Sequence, residues 1–151
     1  SIYINKRMLR FVENDNELSL VIAHEMAHNA MNHIDKTQTN RAMGSFVDIA
    51  AAAYGVNTQG LFALQAGRVF SKEFESEADY VSLYYLARSD INFQDAGNFW
   101  RRMDAEKDFM DTGHATTHPT SPQRFLKIDK AIGEINNKIA NNKPLIPNYK
   151  R

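Results

Sequence analysis

His24-Glu25-Met26-Ala27-His28 sets two imidazoles and a carboxylate within five residues, inside an apolar run of good helix formers. On a helix, residues four apart lie about 40° round and roughly 6 Å along the axis from one another. His24 and His28 can therefore aim at one metal ion, with Glu25 beside the water such a metal would hold. That is the arrangement a zinc hydrolase needs. A pattern set at three positions is too common to stand alone, so the remaining donors must come from elsewhere in the chain.

A catalytic zinc takes three protein ligands and keeps a fourth position for water. One completion places a third His six residues beyond the second, but that position is Ile34, and Met31 stands where this type of site has Gly. His33 falls about 140° round the same helix from His28. It reads as a surface residue, or as one that supports a ligand from behind. The other completion is a Glu from a second helix, and Ser71 to Asp79 offers Glu73, Glu75 and Glu77. Glu75 is preferred because Asp79, four residues later, shares its face and can accept a hydrogen bond from a liganding imidazole. Ala78 would let the two helices approach closely. Glu73 and Glu77 read as solvated acids.

His118-Pro119-Thr120-Ser121-Pro122-Gln123-Arg124 is the third piece. His118 closes a loop and Arg124 lies in the first turns of the helix after it. Either can stabilise the oxyanion of a tetrahedral intermediate, and His118 can also bind the metal when no substrate is present. Taken alone, a His-Pro pair is a turn with a solvated histidine. His114 is a weaker competitor for the same role.

These residues need helices to hold them. Ser1 to Asn5 alternates and reads as a short strand needing a partner. Lys6 to Glu13 is a connector with a helical turn, and Asp15 or Asn16 then caps a helix to about Asn32. Leu18, Val21, Ile22 and Met26 are its expected core contacts. Lys36 to Gln59 combines a polar Thr37-Gln38-Thr39-Asn40 stretch, an Ala-rich helix and a Gly55-to-Gly60 break that suits a lid or an ordinary connection. A helix from Leu61 or Ser71 runs to Arg88, and another begins near Asn92 and includes Phe99, Trp100 and Met103. Asp108 to Thr120 is a loop. Ser121-Pro122 starts a last helix to about Asn141. The fold class is mainly α (α+β), with one marginal β element at the N-terminus.

Composition narrows the function further. Eighteen basic and eighteen acidic residues cancel, which gives no electrostatic basis for nucleic-acid binding. With no cysteine there are no disulfides, thiolate ligands or thiol nucleophiles. No apolar run reaches the roughly 18 residues that cross a bilayer. At 151 residues the chain fits one domain.

Together these motifs resemble the HtpX, BepA and Oma-type zinc metallopeptidases of peptidase family M48. The resemblance runs through the lead into His24–His28, the Glu75-x-x-Ala78-Asp79 stretch, Phe99-Trp100-Arg101-Arg102-Met103, and Thr117-His118-Pro119 with Arg124. It implies a zincin-like helical core binding one Zn²⁺ per chain through His24, His28 and Glu75. Glu25 would be catalytic, Asp79 a support behind the ligands, and His118 a residue near the metal that blocks the fourth position in some members. It implies an endopeptidase acting on unfolded or misfolded protein in quality control of the bacterial cell envelope, periplasmic or peripheral to the membrane. Members carry further sheet strands before the segment matching Ser1 to Asn5. The expectation is therefore a single catalytic domain over 1–151 that lacks those strands. The partner of the Ser1 to Asn5 strand is then a missing upstream strand, another chain or bound substrate, and any membrane association would run through segments outside this sequence. Substrate would add a strand near Ile2 to Ile4. The alternative is a zinc-containing, chaperone-like binding domain whose metal is blocked by His118.

Overall fold

The computed structural model describes residues 2–106, 118 and 121–148. Six helices follow in order: α1 (Lys6–Phe11), α2 (Asp15–Ala30), α3 (His33–Ala53), α4 (Leu61–Arg88), α5 (Ala96–Ala105) and α6 (Pro122–Ala140). There is no β-strand among the described residues, so the mainly α expectation holds and its marginal strand does not. Residues 2–5 form no strand, because a lone segment has no neighbouring strand to ladder with. Asn5 instead caps α1, its Oδ1 accepting from the Met8 amide at 2.7 Å. The expected substrate-binding sheet edge is therefore missing among the described residues. The loop expected over Asp108 to Thr120, and His114 with it, lies outside the described residues, His118 excepted.

The helix boundaries follow local chemistry. Asn14 caps α2 by accepting from Glu17 N at 3.0 Å, and Asp15 and Glu17 in the first turn complement the dipole. Asn32 adopts a left-handed conformation (φ 53°, ψ 38°) that Asn tolerates well, and it ends the run earlier than periodicity suggests. The polar Thr37–Asn40 stretch is helical after all. Thr37 and Thr39 return their hydroxyls to the carbonyls of His33 and Asp35, which leaves no donor to compete with the helix. Asn92 makes a local turn by accepting from Gln94 N, so α5 begins at Ala96. Ser121 accepts from Arg124 N at 3.2 Å and Pro122 follows it, as the sequence predicts for α6.

α3 and α4 form a long hairpin. Gly44 makes their close approach possible, since a Cβ there would lie 2.5 Å from the Phe62 carbonyl oxygen. Asp48 of α3 accepts from the amides of Phe62 and Ala63, so it caps the start of α4 from a neighbouring helix. No helix of the described residues is long and apolar enough to cross a membrane.

The main core lies among α1, α2, α5, α6 and the C-terminal half of α4, with Met8, Val21, Leu83, Tyr84, Phe99, Trp100, Met103 and Ile135 essentially inaccessible. α2 buries Leu20, Val21, Ala23, His24 and Ala27. Met26 is 47% exposed, contrary to expectation. It stands about 200° round from both His24 and His28, so turning the histidines inward turns Met26 out. Ala27 and Ala78 are both fully buried and pack together with Val81, bringing α2 and α4 close enough for their polar side chains to meet. Replacing Ala78 by Leu should wedge this seam apart, costing about 1–3 kcal/mol in urea unfolding and weakening metal retention in the same variant.

Candidate metal centre

His24, His28, Glu75 and His118 converge. His24 Nε2 lies 3.0 Å from His28 Nε2 and 3.3 Å from His118 Nδ1. Glu75 lies 3.2 Å from His28 Nε2, 3.3 Å from His24 Nε2 and 3.0 Å from His118 Nδ1. A tetrahedral ion with bonds of roughly 2.0–2.1 Å needs donors about 3.3 Å apart. The separations among these donors, 3.0–3.3 Å, are of that size, with Oε1 of Glu75 facing His28 and His118 and Oε2 facing His24. Imidazole nitrogens at this range either share one N–H between them or face a common cation. The donor set therefore fits a metal ion, with two imidazoles and a carboxylate suiting zinc.

The ligands are held from behind. His24 is completely buried, its Nδ1 is 3.0 Å from Asp79 Oδ1, and its ring packs 5.0 Å from that of Trp100. Asp79 is in turn gripped by Arg124 through Nε and, at 2.8 Å, through Nη2. Arg124 also reaches Glu75 at 3.2 Å and stacks its guanidinium 4.6 Å over the Trp100 ring. Arg124, Asp79 and Glu75 are only 2–3% exposed. Glu25 and His118 face outward more, with side chains 21% and 15% exposed, and His118 Nε2 stands 3.5 Å from Glu25 Oε1.

These contacts set the charges. Burial disfavours a charged His24, but hydrogen bonds and attraction from Asp79 and Glu75 outweigh it, pushing the His24 pKa up to about 9. For Glu75, burial is likewise outweighed by hydrogen bonds from His118, His24 and His28, holding the carboxyl well below its usual range. Burial is offset at Asp79 by Arg124, so it too stays ionised.

His33 was the misplaced residue. Its expected position 140° round from His28 assumed one continuous helix, but the chain breaks at Asn32 and His33 opens α3. It is 2% exposed and sits 2.9 Å from His28 Nδ1, with Glu77 2.9 Å from its other nitrogen. Burial, against the pull of Glu77, lowers its pKa and keeps it neutral. Asn32 was the one sequence signal available, as a residue that favours left-handed turns.

The sequence pattern described as Peptidase family M48 matches residues 1–132. The chain belongs to peptidase family M48. It is 32% identical over 139 residues to the mitochondrial metalloendopeptidase OMA1 of Schizosaccharomyces pombe, covering 88% of this chain and 41% of that protein. It is 26% identical over 148 residues to the protein of the same name from Saccharomyces cerevisiae, covering 89% of this chain and 42% of that one. The chain thus spans less than half the length of these relatives. No solved structure matches it. The two mitochondrial relatives overturn the expected bacterial cell-envelope location, which rested on resemblance to envelope members of the family.

A pH prediction follows for the metal-free protein. His24 has a folded pKa of about 9 against an ordinary 6.5, so its contribution is fully present below pH 6.5 and is lost as pH rises through 9. Melting temperature in chelator should fall over this window. Added zinc should remove the fall, because the metal takes the place of the His24 proton.

Proposed function

We propose that this chain is the catalytic core of a zinc-dependent endopeptidase whose site is closed by His118 in the conformation described. The observation that supports this reading is the convergence of His24, His28, Glu75 and His118, whose donor atoms lie within 4.8 Å of one another, beside the Glu25 carboxylate. His24, His28 and Glu75 would hold the metal. When bound, the metal supplies Lewis acidity, bringing the pKa of water at the open position toward 7 and polarising the scissile carbonyl.

The remaining steps belong to the chain's own residues. Glu25 takes a proton from the attacking water and delivers it to the leaving amine. Asp79 accepts from His24 Nδ1, directing the lone pair of Nε2 at the metal position. Arg124 was expected to reach the oxyanion, but its burial and its bonds to Asp79 and Glu75 make it a positioning residue. Oxyanion stabilisation then falls to His118 once it swings clear of the fourth position. The substrate is a protein or peptide, as family membership implies, and a mitochondrial setting carries over from both relatives.

The position of His118 favours one second reading, a chaperone-like binding domain that keeps its metal and turns over little. Two variants separate the readings. Glu25→Gln should retain one zinc and lose about 10²–10⁴-fold in casein hydrolysis; wild-type turnover in that variant would refute the mechanism. His118→Ala should raise basal casein cleavage if the ring mainly blocks, and lower it if oxyanion stabilisation dominates. Casein bound but uncleaved by both the zinc-loaded wild type and His118→Ala would establish the binding domain instead.

A further inference from the structure

His28 is held differently from His24, and the difference points to a further pair of positioning residues. If Nε2 of His28 faces the metal, the proton of the neutral ring must sit on Nδ1. That Nδ1 lies 2.9 Å from His33 Nδ1. His33 must therefore accept there and carry its own proton on Nε2, which is 2.9 Å from Glu77 Oε2. Choosing the metal-facing atom of His28 thus settles every donor and acceptor out to Glu77.

The pair is built into the fold. The left-handed turn at Asn32 brings His33 back beside His28 only five residues later. The His33 ring is stacked on Phe74 with centroids 4.6 Å apart and planes 14° from parallel. Phe74 and Glu77 flank Glu75 on α4, so the helix that carries the third ligand also carries the seat and the end of the chain of bonds.

We propose that His33 and Glu77 act as a relay that orients His28 for the metal, extending carboxylate–imidazole support by one more imidazole. This rests on the reading of His24, His28 and Glu75 as metal ligands. His24 donates directly to the buried Asp79 carboxylate, whereas His28 donates to a neutral ring backed by a carboxylate whose side chain is 31% exposed. Both ligand rings are held by hydrogen bonds, but only the His28 arm ends near solvent. Support of this kind contributes about 10–100-fold to metal affinity.

The test compares zinc dissociation constants from chelator competition, with melting temperature of the metal-free protein measured alongside. His33→Phe keeps the ring and its stack on Phe74 but removes the acceptor. It should weaken zinc binding about 10–100-fold without lowering the metal-free melting temperature. His33→Gln restores an acceptor and should recover most of the loss, which a packing role would not predict. Glu77→Leu, at a partly exposed position, should weaken binding several-fold, and Glu77→Gln should recover it through the amide oxygen. If wild type holds one zinc and both His33→Phe and Glu77→Leu hold it as tightly, the relay alone is refuted. If wild type holds no zinc, the metal-centre reading fails and the relay fails with it.

Discussion

The contact on which this molecule turns is the buried bridge from His24 through Asp79 to Arg124. It joins α2, α4 and α6 at one point, with all three residues 0–2% exposed. Charged groups are costly to remove from water, and they are tolerated only where each is paired and its remaining bonds are satisfied. Here Arg124 offsets one carboxylate and a proton on His24 offsets the other, so the metal-free cluster of Arg124, His24, Asp79 and Glu75 is close to neutral. Exchange of that proton for a divalent cation leaves the carboxylates in place. The same interaction that completes the fold prepares the site.

Around this bridge the side chains divide by exposure. Trp100 packs against both the His24 ring and the Arg124 guanidinium. Ala27 and Ala78 hold α2 and α4 together with no side-chain bulk between them. Nothing in that set can shift without exposing a charge or opening a void. Glu25 and His118 stand at the outer rim, partly exposed and near each other. In the proposed reaction, the groups that would move protons and meet the peptide stand at this rim, and the buried ones lie beneath.

Much of this was legible along the chain. His24, Glu25 and His28 follow from a four-residue spacing, and Glu75 with Asp79 from another on α4, because helical geometry is local and repeats. Ser121-Pro122 marked the start of α6 for the same reason. The N-terminal strand was misread because alternation describes a segment while a strand requires a partner. Met26 was assigned to the core from its hydrophobicity, and lost its place to the histidines on the other side of α2.

The sequence by itself determined which residues have metal chemistry and which of them share a helical face, since both depend on neighbours a few positions apart. Tertiary structure decided what each one touches. It buried Arg124 against Asp79 and Glu75, away from the solvent-facing position expected of a substrate contact. It set His118 3.3 Å from His24, 94 residues away in the chain. It returned His33 to His28 through one left-handed residue and placed Glu77, expected to be solvated, behind it. Those roles depend on where separate helices cross and where a chain reverses, and no local spacing encodes either.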